Sequence, residues 1–204
     1  GLPALVRAMR AARQNGGLTQ SAASQARPGC VTIMTVHRSK GLEFPVVFVA
    51  GTSHRFNNAD TLSPVLFHRE LGVGMTLRAP GGASRYKTLP YAALSQTIRT
   101  ETLSEEMRIL YVALTRAQDA LFITLPLKDA AGALKAPALY ANAGMTGPEA
   151  LQDFQSWSGW LLTAALRHPD SGALWAKTDF LPSQGDRAAP LAIRVLDAPD
   201  ALPE

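Results

Sequence analysis

Four consecutive residues, Lys40-Gly41-Leu42-Glu43, could do chemistry together. A glycine lets the backbone turn tightly or approach a ligand closely. A carboxylate two residues later can accept hydrogen bonds from a pair of ribose hydroxyls. Just upstream, Thr35 and His37 offer a hydroxyl and an imidazole, good partners for phosphate oxygens. Much later comes Thr115-Arg116-Ala117. A guanidinium is a planar fork that matches phosphate oxygens. In phosphoryl transfer such a group steadies the charge of the transferring phosphoryl. Plain alternatives stay open on spacing alone. Gly41 can be only a turn residue, Glu43 and His37 solvated polar groups, and Arg116 a complement to the negative end of its helix.

These residues need elements to hold them. Residues 31–36 are a β-rich run, expected to form a strand that ends near Thr35 and His37. Open α/β sheets place their ligands at such carboxyl ends. The run V-V-F-V-A at 46–50 is almost continuously apolar, as a parallel strand covered on both faces would be. Only residues 37–44 separate the two runs, too few for a crossover helix, so a single helical turn around 39–42 is expected. Residues 65–67 and 72–76 read as a hairpin, and Gly81-Gly82 as another turn. A helix is expected over 89–100, opened by Pro90. A second is expected over 102–118, capped by Thr102 and Glu105 in a T-x-x-E box, with Met107, Leu110, Tyr111 and Leu114 on one face. A short buried strand follows at 120–125. Residues 129–147 read as loop with a little helix, and 148–166 as a helix with Phe154, Trp157 and Trp160 available for burial. Residues 2–14 have helical spacing, 18–29 read as a flexible linker, and 179 onward as an extended tail.

The 204-residue chain is 47% hydrophobic and 18% charged, so it can build a core and is not generically disordered. A net charge of +4, with no long basic run, is compatible with a nucleic-acid partner and does not demand one. The single cysteine, Cys30, excludes an intrachain disulfide, suits a reducing compartment, and is expected to be a small buried residue. No apolar run is long enough to span a bilayer as a helix, and no signal-peptide pattern opens the chain. The sequence starts at Gly1 rather than Met, so it is expected to be a piece of something larger.

Taken together, the two segments resemble a known family, the superfamily 1 DNA helicases of the UvrD/Rep type. Residues 34–48 are similar to that family's motif V, M-T-x-H-x-x-K-G-L-E-F-P-V-V-F, and residues 105–117 to its motif VI, E-E-x-R-x-L-Y-V-A-x-T-R-A. Within the family, F-N after the first motif, E-L-G-V-G, Y-K-T-L-P-Y-A-A and A-L-R-H-P-D resemble the AddA type of bacterial AddAB helicase–nuclease subunits.

The resemblance implies an α/β fold. It would be part of a RecA-like (P-loop NTPase type) parallel sheet flanked by helices, with a mostly helical C-terminal extension. It also implies three segments. Residues 1–29 would be helix and linker from a preceding accessory insertion, 30–127 the second RecA-like domain, and 128–204 an extension towards a nuclease. Function by resemblance is the C-terminal motor portion of an ATP-dependent DNA helicase in double-strand break repair, driving translocation on single-stranded DNA. Gly41 and Glu43 would face ATP, with Glu43 on the ribose, and Arg116 would be the catalytic arginine finger on the γ-phosphate. Thr35, His37 and Arg38 would lie towards DNA. Arg38 departs from the small residue usual there. Tyr111 would pack its helix on the sheet or border the nucleotide. Expected partners are single- and double-stranded DNA, the first RecA-like domain of the same parent chain and an AddB-type subunit. No membrane is expected, and the setting would be the bacterial cytoplasm. No G-x-x-x-x-G-K-[ST] loop and no D-E-x-Q segment for Mg²⁺ occur in the sequence. The chain alone is therefore expected to lack ATPase activity and to hold no metal. The alternative is a UvrD-like domain acting as a non-catalytic DNA-binding or interaction module.

Overall fold

The computed structural model describes residues 30–82, 84–144, 147–182 and 190–196. The expected helix at 2–14, the linker at 18–29 and much of the tail lie outside them. The chain divides into two compact units between Ser39 and Lys40.

In the first unit the expected strand at 31–36 does not form. Residues 30–35 carry no regular structure, and Val31 and Ile33 are almost fully exposed. A β-rich run becomes a strand only against a partner, and none of the described strands pairs with it. Val36–Ser39 is instead one 3-10 turn, three residues earlier than the expected helical turn. Cys30 is exposed, contrary to expectation, because no packed strand follows to bury it.

The second unit is built around a pair of parallel strands, β1 (Phe44–Val49) and β5 (Ala117–Ile123). The register runs from Phe44 opposite Ala117 to Val49 opposite Ile123, with an irregularity between Phe44 and Val46. Pro45 sits there and has no N–H to give the ladder. Parallel pairing agrees with the sequence, but coverage on both faces does not. In β1 only Val49 is buried. Among the described residues this sheet has two strands, so Phe48 and Phe122 stack on an open face, ring centroids 4.6 Å apart.

Between the two parallel strands lies an antiparallel meander: β2 (Val65–His68), β3 (Gly72–Arg78) and β4 (Arg85–Lys87). The expected hairpin and the Gly81-Gly82 turn are both present. One face packs on helix α1 (Leu89–Leu114) through Leu66, Tyr91 and Leu94. Gly74 of β3 is required there, since a Cβ would meet the Tyr91 backbone at 2.7 Å. The other face carries Val65, Phe67, Val73, Met75, Leu77 and Tyr86, all exposed.

Helix α1 replaces two expected helices. Its N-cap is Thr88, whose hydroxyl accepts from the Tyr91 N–H at 3.3 Å, with Pro90 in the first turn. The expected cap at Thr102 is mid-helix, and its hydroxyl donates to the Ile98 carbonyl at 2.9 Å. No glycine or proline interrupts 91–114, so nothing stops propagation. The helix runs about 39 Å and ends at Leu114, four residues earlier than expected, where Ala117 and Gln118 enter β5.

The expected loop at 129–147 contains helix α2 (Ala130–Asn142), capped by Asp129, which accepts from the Gly132 N–H at 3.1 Å. Its alanines favour helix intrinsically, and Leu134, Ala138 and Ala141 are buried against Leu162, Leu166 and Trp175. The expected single helix at 148–166 is two: α3 (Pro148–Gln152) and α4 (Trp157–Leu166). The break has tertiary partners. The Phe56 N–H donates to the Gln155 carbonyl at 2.7 Å, and the Ser158 N–H to the Thr52 carbonyl at 2.9 Å. A short helix α5 (Gly172–Trp175) closes the core. Phe56, Leu110, Phe154 and Trp160 form a second buried cluster, which ties α1 to α4. Residues 190–196 have no helix or strand, although Ile193 rests against the core.

Candidate functional site

The turn before β1 and the end of α1 come together. Gly41 has φ +81°, the left-handed region that glycine tolerates best, and nothing lies within 4 Å of where a Cβ would stand. The next carbonyl, Leu42, accepts from Arg116 Nη1 at 2.9 Å. The Phe44 N–H donates to the Arg116 carbonyl at 2.9 Å. Arg116 is thus held to this turn by both its side chain and its backbone.

The rest of the guanidinium is also engaged. Nε donates to the Val112 carbonyl at 2.9 Å, and Nη2 to the Thr115 hydroxyl at 2.9 Å. Thr115 in turn donates to the Tyr111 carbonyl at 2.9 Å. Arg116 therefore satisfies the carbonyls left orphaned at the helix C-terminus. The plain reading of this arginine describes its present geometry. It does not stop the side chain from swinging, since the residue is only half-buried. Glu43 is exposed and accepts from Gln118 Nε2 at 3.2 Å.

Gly41, Glu43 and Arg116 consequently share one corner, at the start of β1 and the start of β5. The corner offers an open backbone turn, an exposed carboxylate and a guanidinium one rotamer from solvent. That set fits one flank of a nucleotide: the carboxylate suits sugar hydroxyls and the guanidinium suits a phosphate. Sequence reasoning missed Thr115 and Gln118 as partners. Thr115 directly precedes Arg116, and Gln118 lies on the strand that pairs with β1, but only the register makes Gln118 a neighbour of Glu43.

Tyr111 does not pack its helix onto the core, and at 67% exposure it is open to solvent. The buried side of α1 there is formed by Leu110 and Ala113, which leaves Tyr111 on the outer side, one turn before Thr115.

Thr35, His37 and Arg38 belong to the other unit and are described by themselves. All three are exposed. The Thr35 carbonyl accepts from the Arg38 N–H at 3.0 Å and the Ser39 N–H at 3.3 Å. The Ser39 hydroxyl closes the turn on the Val36 carbonyl at 2.8 Å. The turn presents an imidazole and a guanidinium side by side, without the strand that was expected to carry them.

Elsewhere, a concavity of about 680 Å³ lies at the foot of β2, lined by Asp60, His68, Ile98 and Glu101 among others. His68 Nδ1 accepts from the Glu70 and Leu71 N–H groups, each at 3.2 Å, so Nε2 is the donor to Glu101, also at 3.2 Å. This imidazole organises the β2–β3 turn. Among the described residues no cluster of three His, Cys, Asp or Glu could hold a metal ion. No described helix is long and apolar enough to cross a membrane.

The chain has relatives among known proteins. Residues 12–128 match the model of the UvrD-like helicase C-terminal domain. The chain is 42% identical over 157 residues to the AddA subunit of the ATP-dependent helicase/nuclease of Desulforamulus reducens, covering 74% of this chain and 12% of that protein. It is 42% identical over 146 residues to the protein of the same name from Geobacillus kaustophilus, covering 71% of this chain and 12% of that protein. Against the Lactiplantibacillus plantarum protein of that name it is 34% identical over 208 residues, covering 100% of this chain and 16% of that protein. The chain thus spans 12% to 16% of the length of these relatives.

Proposed function

The chain belongs to the family of UvrD-like helicase C-terminal domains, and from that premise we propose that it is the responding half of an ATP-driven DNA motor. The observation that supports this most is the corner where α1 delivers Arg116 onto the Gly41–Glu43 turn. In this reading Glu43 takes the ribose hydroxyls of ATP. Gly41 keeps the backbone low enough for the nucleotide to sit against it. Arg116 exchanges its bond to the Leu42 carbonyl for one to the γ-phosphate when the two halves of the motor close. The exchange replaces a neutral acceptor with an anionic one, which makes the stronger hydrogen bond. Thr35, His37 and Arg38 contact the DNA backbone on the translocated strand.

The half that grips the triphosphate is a first RecA-like domain with a phosphate loop, and that domain supplies the Mg²⁺ ligands. Residues 30–127 form the second such domain, 1–29 lead in from an accessory insertion, and 128–204 lead towards a nuclease. The curated relatives carry helicase and nuclease in one name. By that likeness the parent works on double-strand ends in the bacterial cytoplasm with an AddB-type subunit.

In a parent-length protein, Arg116→Ala is expected to lower the ATPase rate by about 10³-fold or more while ATP binding is largely kept. A rate near wild type would remove the finger role. One observation favours the second reading, a non-catalytic DNA-binding or interaction module. All three guanidinium nitrogens of Arg116 are already bonded within the chain. Under that reading Arg116→Ala lowers the melting temperature and leaves hydrolysis alone, so the same variant separates the two.

A further inference from the structure

The meander is not used by the site above, and its outer strand has an unusual make-up. Strand β4 is Arg85-Tyr86-Lys87, all three exposed, and it forms the free edge of the sheet. The antiparallel register sets Arg78 directly opposite Arg85. Like charges so placed, with Cβ atoms about 5 Å apart, repel and weaken a sheet. No carboxylate pairs with either arginine among the described residues. The one acidic residue within 65–87 is Glu70, and Arg69 holds it at 3.1 Å. Lys87 lies beside them with its ammonium 5.8 Å from the Tyr91 ring centroid. Alternation puts Tyr86 on the opposite side of the strand, next to Leu77, with about half its surface open.

We propose that β4 and the adjoining end of β3 form a binding site for single-stranded nucleic acid, separate from the turn at Thr35–Arg38. Tyr86 offers a plane on which an unpaired base stacks. Arg78 and Arg85 take phosphates on either side, which relieves their mutual repulsion. Basic residues flanking an aromatic on an exposed strand are what a sequence-tolerant stacking site needs. The uncompensated cation pair favours a polyanion over an apolar protein segment, which the middle of the sheet face would suit better. The inference rests on the proposed function only for the class of ligand.

The test uses the 204-residue chain and a fluorescein-labelled oligo-dT spanning one such groove, read by fluorescence anisotropy across a salt series. Tyr86→Ala is expected to weaken binding about tenfold, and Tyr86→Phe to retain it, which also guards against misfolding. The Arg78→Gln/Arg85→Gln double variant is expected to reduce the log–log salt slope by about 1.4, two phosphates at about 0.7 each. The proposal is overturned if wild type does not bind at low salt, or if Tyr86→Ala binds as wild type does. It is also overturned if these variants alter only solubility or self-association, because the basic residues would then merely protect a strand edge or meet a protein. Thr35→Ala and Arg38→Ala report on the other contact. Loss at those positions with none at Tyr86 sinks this site and leaves the proposed function standing, and the reverse pattern does the opposite.

Discussion

Arg116 carries two jobs with one side chain, and its chemistry says how to separate them. The fork reaches Val112, Leu42 and Thr115 at once. A lysine has no Nε–H and no planar fork. Arg116→Lys is therefore expected to break the cap on α1, costing about 1 kcal/mol in stability, and to lower hydrolysis in a parent-length protein nearly as much as alanine does. Thermal melts and steady-state ATPase rates measure the two effects separately. A second residue-scale test lies away from the site. Tyr140 donates a hydrogen bond to Asp153, which raises its phenol above the ordinary 10.0, with desolvation and the nearby carboxylate charge adding to the shift. A raised folded-state value stabilises the fold below the phenol's ordinary value and loses that contribution as pH rises through the shifted one. Asp153→Asn is expected to bring phenolate formation back to lower pH, followed by ultraviolet absorbance. At this scale the sequence was informative about Gly41, Glu43 and Arg116, because their spacing to strand and helix ends is local. It was silent on Gln118, which reaches Glu43 only through the β1–β5 register.

At the scale of elements, the misreadings share a cause. Thr102-x-x-Glu105 is a good capping box on paper, yet a box needs free N–H groups, and inside α1 they are already taken. Thr88 occupies the cap instead. Thr88→Ala is expected to destabilise by about 1 kcal/mol, whereas Thr102→Ala should change stability by less than about 0.5 kcal/mol. Chemical denaturation of both variants decides this, and equal losses would contradict the single-helix description. Gly74→Ala is expected to cost about 1–3 kcal/mol, since the added methyl meets α1 backbone rather than a movable side chain. The hairpin was legible because glycine turns and alternation are local signals. The strand at 31–36 was not, because pairing is decided by a partner far away in sequence. The break between α3 and α4 was hidden for the same reason: Thr52 and Phe56 create it.

At the scale of the whole molecule, the open face of β1 and β5, with Phe48 stacked on Phe122, and the separate apolar face of the meander mark surfaces left without cover among the described residues. The chain alone is expected to show ATP hydrolysis no faster than background, by coupled-enzyme assay, and robust turnover would overturn the half-site reading. Length and continuity of α1 carry a mechanical consequence. From Tyr91 to Leu114 the helix contains no residue that bends easily. One end is locked to β2 and β3, and the other is bolted to the Leu42 turn. It acts as a lever arm without an elbow. A load applied at the meander cannot be absorbed along the way and must arrive at the guanidinium as a displacement, so the stiffness of this rod sets how far one end can move while the other stands still.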